Sequence, residues 1–313
     1  MGLQQKDLLG LENLTRNEIE LILETAQPML AVIGRPVKKY PTLRGRIMVN
    51  LFYESSTRTR TSFELAAKAL SADVVNIAVA TSAVAKGESL ADTARTLEAL
   101  GADWIVLRHS ASGAPHWLAR QVRAGVINAG DGSHEHPTQG LLDLFTLLRR
   151  KGRIEGLRVG IVGDVLHSRV ARSDIWGLTR LGAQVVLIGP PTLVPPGIEN
   201  LYPGVEIAYD LRQVLPSLDA VQVLRLQLER QKRGLFPGVE EYSRLYRLDS
   251  QRLRDWGAKS DLLVMHPGPA NLGLEISEEL ANSPQAAIRE QVQNGVAVRM
   301  AVLYLMAGGK VEG

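Results

Sequence analysis

Short runs of β-branched and aliphatic residues alternate with longer segments of helical periodicity, and this alternation restricts the chain to an α/β architecture built on parallel sheets. RIMVNLFY (46–53), DVVNIAV (73–79) and DWIVLRH (103–109) read as strands between helices expected over 15–33, 59–70 and 89–100. Thr15 followed by Glu18 is a capping-box pattern, and Phe63, Ala66, Ala67 and Leu70 share one helix face. A long helix over 137–150 runs into the polar connector KGRIEG, after which a second series begins. It comprises LRVGIVGD (157–164), a helix over 168–181, QVVLIG, a Pro-rich loop at 190–196, DAVQVLR (219–225) and LLVMHPGP (262–269). A last helix over 285–307 is expected to align Ile288, Val292, Val296, Met300 and Leu303 and to return to the first domain. The 313 residues leave room for two domains of about 150 residues, each with its own core.

The sharpest chemical signal is FYESSTRTRTSFE (52–64), where a strand runs into Ser56-Thr57-Arg58-Thr59 and a helix. A helix N-terminus offers unsatisfied N–H groups and a partial positive charge, the basis of phosphate binding. The hydroxyls, with Arg58 and Arg60, add donors around that point, and a guanidinium grips phosphate with two prongs. The bland alternative is an N-cap with solvated arginines. No GxxxxGK(S/T) phosphate loop occurs. In HEHPTQGLLDLF (134–145), His136 and Gln139 precede or open an apolar helix, with Pro137 suited to its first turn. His134 and His136 lie two apart, a poor ligand set without a third partner, so no metal is expected there.

Weaker signals lie at other strand ends. Lys86-Gly87-Glu88 by itself reads as an exposed loop, and MHPGPANLGLEI (265–276) as an ordinary turn whose prolines could present carbonyls to a ligand. Arg225, Gln227, Glu229 and Arg230 leave a strand end together, where open parallel sheets bind ligands. GIVGDVLHSRVARS (160–173) has Gly160 and Gly163 in the wrong spacing for a dinucleotide turn, which leaves Arg169 as its residue of interest.

Composition removes several function classes. The 45% apolar and 22% charged content is globular, and no apolar run approaches the ~18 residues of a membrane span. The opening MGLQQKDLLGLENL has no basic stretch followed by an apolar run, so no secretory signal and a cytoplasmic location are expected. Absence of cysteine removes disulfides, thiolate nucleophiles and Cys-ligated zinc. A net charge of +3 without a Lys/Arg block makes nucleic acid a weak candidate and small anions better ones.

Taken together, STRTRTSFE, KGESLADT, NAGDGSHEHPTQGLLDLFT, GIVGD with its Arg169, the R-x-Q-x-E-R run and HPGP resemble, in order and end to end, the catalytic chains of the aspartate carbamoyltransferase family. The resemblance implies two domains, each a mostly parallel sheet flanked by helices, joined by two interdomain helices. A carbamoyl-phosphate-binding domain would span 1–138 plus the returning helix 286–313, and an aspartate-binding domain 139–285. It implies transfer of a carbamoyl group from carbamoyl phosphate to L-aspartate in pyrimidine synthesis, without a cofactor. By resemblance, Ser56, Thr57, Arg58 and Thr59 form the carbamoyl-phosphate loop; Thr59, Arg108 and His136 polarise the carbamoyl oxygen; and Gln139 holds the amide. Ser82 and Lys86 match a loop donated by the neighbouring subunit of a homotrimer with shared sites, Lys86 serving both substrates. Arg169, Arg225 and Gln227 match the aspartate set. Pro267 and Gly268 would offer carbonyls near the amine, with Gly268 and Pro269 also near carbamoyl phosphate. The family often has Leu where this chain has Gly268, so that side-chain contact is lost. Regulatory chains or a dihydroorotase are conceivable partners. The rivals are an ornithine carbamoyltransferase, which typically carries HCLP where this cysteine-free chain has HPGP, and a non-catalytic structural paralogue.

Overall fold

The computed structural model describes residues 3, 5–78, 88–202, 204–227 and 238–309. In chain order its regular elements are α1 (Arg16–Ile33), β1 (Ile47–Phe52), α2 (Thr57–Ala69), β2 (Asp73–Ala78), α3 (Leu90–Ala99), β3 (Trp104–His109), α4 (Ala114–Ala119), β4 (Gly125–Asp131) and α5 (Pro137–Lys151). There follow β5 (Arg158–Val162), α6 (Arg169–Arg180), β6 (Gln184–Ile188), β7 (Val205–Ala208), α7 (Leu211–Val214), β8 (Ala220–Val223), α8 (Val239–Tyr246), α9 (Ser250–Asp255), β9 (Leu263–Met265), α10 (Glu278–Ala281) and α11 (Ile288–Met306). The chain divides into two units, Met1–Leu142 with Gln293–Gly313, and Asp143–Val292. The divisions fall inside α5 and α11.

In the first unit four parallel strands stand in the order β2-β1-β3-β4. Such strands are covered on both faces, so β1, β3 and β4 are buried almost throughout. Val49, Leu51, Ile105, Leu107, Leu118 and Val126 pack into one of its core clusters. Thr15 caps α1 through the reciprocal bond with Glu18 that the sequence promised. The free edge of β4 is covered by the chain preceding α1: Leu8 N–H donates to Val126 O (2.9 Å) and Leu8 O accepts from Asn128 N–H (2.9 Å).

The second unit carries five parallel strands in the order β7-β6-β5-β8-β9. Its core joins Val162, Ile188, Val221, Val223, Val264 and Leu280. Strands β4 and β7 and the short helices α4 and α7–α10 escaped the sequence reading. β4 hides in a motif that reads as chemistry, and four- to eight-residue helices have too few turns for periodicity to register. Two expectations need correction. Helix α2 begins at Thr57, not Thr59, because Ser56 caps it. The apolar stripe assigned to the last helix breaks at Val292, which is 57% exposed. In its place Asn294, Gly295, Ala297, Val298 and Arg299 are buried, with the Arg299 guanidinium 4.9 Å from the Phe63 ring centre and Nη1 donating to Ser62 Oγ (3.0 Å).

Candidate active site

The first sheet reverses direction of growth between β1 and β3: the chain adds β2 on one side of β1 and β3 on the other. Such reversals open a crevice at the carboxyl ends of the strands. Ser56 through Thr59 stand at that end of β1. Ser56, in extended backbone, accepts from Thr59 N–H (3.4 Å) and its hydroxyl donates to Thr59 Oγ1 (3.0 Å). Thr57, Arg58 and Thr59 thus occupy the first turn of α2, Thr57 and Arg58 exposed and Thr59 buried. Arg108 leaves the same end of β3, opposite Phe52 in the register. Its guanidinium is nearly buried and fixed from two sides, with Nη2 donating to Glu54 Oε1 (2.6 Å) and Nη1 to Ala129 O (3.1 Å). His136 and Gln139, both buried, follow β4, and the His136 carbonyl accepts from Gln139 N–H (2.9 Å) and Gly140 N–H (3.1 Å) as α5 opens at Pro137. Phosphate-type donors and a fixed cation therefore gather at one sheet edge within this unit.

The HEH run separates into distinct roles. Glu135 is buried, and its carboxylate accepts from Leu11 N–H (2.8 Å) and Glu12 N–H (3.1 Å), tying down the chain before α1. His134 Nδ1 lies 3.1 Å from Asp131 Oδ2. Burial by itself would raise the Asp131 pKa, but donors from His134, Asn128, Gly113 and Glu135 outweigh it and hold the carboxyl below its ordinary value. The bond to Asp131 in turn raises the His134 pKa. The sequence offers no third ligand for the His134/His136 pair; in the structure His116, Asp131 and Glu12 stand near His134, and His136 is not among them.

In the second unit the reversal lies between β5 and β8, and the expected residues again sit at carboxyl ends. Arg169, buried, opens α6 behind the Ser168 cap; half-buried Arg225 and Gln227 follow β8; Pro267, Gly268 and Pro269 follow β9. Gly268 has φ of 64°, a region side-chain-bearing residues seldom adopt, which accounts for Gly at this place. The turn is held by His266, buried beside Glu275. Gly268 N–H donates to His266 Nδ1 (2.9 Å), so the ring proton sits on Nε2 and points at Glu275 Oε2 (2.9 Å). Glu275 also accepts from Leu226 N–H (2.6 Å) and Asn271 Nδ2 (2.6 Å), linking the β8 and β9 ends.

Glu54 and Glu275 went unnoticed in the sequence, where each reads as a solvated charge. A carboxylate following a strand beside an arginine motif is the one clue Glu54 offered. Ser82, Lys86, Glu229 and Arg230 lie outside the described residues. Among the described residues no helix is long and apolar enough to cross a membrane.

Comparison with known proteins follows the same two-part division. Residues 6–149 match the family model of the aspartate/ornithine carbamoyltransferase carbamoyl-P binding domain, and residues 155–306 that of the Asp/Orn binding domain. The chain is 62% identical over 313 residues to an aspartate carbamoyltransferase catalytic subunit of Heliobacterium modesticaldum, covering 100% of this chain and 99% of the relative. The Moorella thermoacetica catalytic subunit is 60% identical, with 99% of each chain covered. Among solved structures, aspartate transcarbamoylase from Trypanosoma cruzi in complex with carbamoyl phosphate and aspartate superposes with a TM-score of 0.85 at 30% identity, over 95% of this chain and 94% of that one. The same enzyme with N-(phosphonacetyl)-L-aspartic acid gives 0.84 at 32% identity, with the same coverage.

Proposed function

The chain belongs to the aspartate/ornithine carbamoyltransferase family, and on that premise we propose that it transfers the carbamoyl group of carbamoyl phosphate to the amine of L-aspartate. The products are N-carbamoyl-L-aspartate and inorganic phosphate, in de novo pyrimidine synthesis. The amine lone pair forms the new C–N bond, the carbonyl oxygen takes up negative charge, and the C–O bond to phosphate then breaks. The departing phosphate accepts the proton that the amine sheds.

Such a step needs donors already in place where charge develops, not a covalent nucleophile. Ser56, Thr57, Arg58 and Thr59 hold the phosphate; Thr59, Arg108 and His136 stabilise the oxyanion; Gln139 orients the amide. Arg169, Arg225 and Gln227 read the aspartate carboxylates, and the Pro267–Pro269 turn offers carbonyls to the amine. The observation carrying this reading is the Ser56-capped opening of α2 beside a guanidinium anchored by Glu54 and Ala129. Preference for aspartate over ornithine rests on the cysteine-free HPGP turn and the Lys86 loop. A cytoplasmic homotrimer, with Ser82 and Lys86 donated by the neighbour, completes the proposal. Assaying the purified protein with carbamoyl phosphate and either aspartate or ornithine tests it: turnover with ornithine, or with neither amine, overturns the assignment.

A further inference from the structure

Four donors from three residues of the second unit converge on one buried carboxylate, that of Glu275. Its Oε1 accepts from Leu226 N–H (2.6 Å) and Asn271 Nδ2 (2.6 Å), and its Oε2 from Asn271 N–H (3.0 Å) and His266 Nε2 (2.9 Å). Neither the imidazole nor the carboxylate reaches solvent. A charge buried this way is a costly means of joining two loops, and apolar packing would serve stability as well. What a carboxylate alone supplies is acceptance without donation, at about four lone-pair sites.

The bonds end on segments assigned above to aspartate. Leu226 N–H belongs to the peptide that joins it to Arg225, and Asn271 Nδ2 also reaches Leu226 O (3.4 Å), in the peptide leading to Gln227. Leu226 is itself buried, so the two side chains beside it leave from a fixed point. On the other side, His266 N–H donates to Gln291 Oε1 (3.0 Å), and the ring stands between Glu275 and Gly268 N–H, which is 2.9 Å from Nδ1. An acceptor at Nε2 keeps the ring proton there and leaves Nδ1 bare to receive Gly268 N–H.

From this arrangement we infer that Glu275 is a positioning residue for aspartate. Acting through the ring form of His266 on one side and through Leu226 on the other, it holds the carbonyls of Pro267 and Gly268 at a fixed spacing from Arg225 and Gln227. The inference rests on the aspartate reading of these segments proposed above. Glutamine at this place has one acceptor and one donor group. With its oxygen facing Leu226, its amide meets Asn271 N–H and drives the His266 proton to Nδ1, against Gly268 N–H. With its oxygen facing His266, its amide meets Leu226 N–H. Either orientation leaves a backbone donor facing another donor, and one half of the pocket is released.

Glu275→Gln is compared with the parent and with Asp219→Asn. Asp219 accepts from Arg158 N–H (2.8 Å) and Lys259 Nζ (2.6 Å) ahead of β8, at the opposite end of the strands, and so controls for lost stability alone. The expected result is an aspartate KM raised about tenfold or more in Glu275→Gln, the scale of one unsatisfied buried donor. Its kcat and its carbamoyl-phosphate affinity stay within about threefold of the parent, since Glu275 touches neither substrate. Asp219→Asn lowers the melting temperature and leaves the aspartate KM unchanged. In the parent, 15N spectra of the imidazole show His266 protonated at Nε2 and bare at Nδ1. An unchanged aspartate KM in Glu275→Gln, or an equal rise in Asp219→Asn, overturns the inference. So does a His266 proton on Nδ1 in the parent, a measurement that remains decisive where Glu275→Gln fails to fold. If the parent does not turn over aspartate, the reading of the reaction fails and this inference with it; if it does and the KM of Glu275→Gln is unchanged, the inference alone fails.

Discussion

Replacing Asp174 by Asn should make the second unit more stable, and increasingly so as pH rises. Asp174 on α6 is buried, as is Asp143 on α5. Both oxygens of Asp143 are claimed by glutamine amides, Gln222 Nε2 at 2.9 Å and Gln291 Nε2 at 2.7 Å. Burial raises the Asp174 pKa well above its usual 3.8, and the Asp143 charge pushes it further, so Asp143 carries the charge and Asp174 keeps its proton. In the unfolded chain Asp174 reverts to about 3.9. The folded state then holds an extra proton from about pH 4 up to the raised folded value. Its stabilising contribution is fully present below the unfolded pKa and is lost as pH rises through that window, by ~1.4 kcal/mol per pH unit. Asn keeps the size of the side chain but has no proton to lose. The stability of Asp174→Asn relative to the parent should climb with that slope. For a unit of about 150 residues this corresponds to roughly 3–6 °C in melting temperature per pH unit. Scanning calorimetry of both proteins at pH 5, 6, 7 and 8 measures it. A difference that stays flat over this range refutes the shared-proton reasoning.

Arg58→Ala should lower turnover about a hundredfold or more, from loss of roughly 3 kcal/mol of charge-assisted contact, with an unchanged circular dichroism spectrum; near-normal turnover removes the phosphate assignment of the α2 opening. Arg225→Ala should raise the aspartate requirement while leaving carbamoyl-phosphate affinity within about twofold, because one arm of a two-pronged carboxylate grip is lost; calorimetry showing the reverse pattern contradicts the division of labour between the units. Mixing the inactive Arg58→Ala and Lys86→Ala proteins after dissociation should regenerate about one native site in four in randomly reassembled cyclic trimers; mass-verified hybrids without activity show that Lys86 does not complete a neighbour's site.

The residues proposed to bind the anionic substrates stand out in the sequence because each sits where a strand stops and a helix or turn begins, and such junctions are punctuated by capping and turn residues. Ser56, His136 and Arg169 are legible for that reason. The supporting residues are not, since their partners are distant in the chain: Glu54 meets Arg108 and Glu275 meets His266 only through sheet order and loop return. The start of α2 was misplaced because a run of hydroxyls obscures which one caps, and only the Ser56 to Thr59 bond decides it. The Val292 stripe failed for a different reason. A helix that belongs to one unit at its start and another at its end has no single buried face, so a periodicity tuned to one face misreads it.

The return of α11 to the first unit sets an order for biosynthesis. Arg299, which packs on Phe63 and bonds Ser62, arrives after the roughly 150 residues of Asp143–Val292 have been made. At about 5–20 residues per second that interval is on the order of 8–30 s. Until then Phe63 lacks the Arg299 guanidinium and Leu142 lacks the close approach of Gly295, while the second unit can complete its own sheet first. The half that begins translation is therefore the last to receive all of its segments.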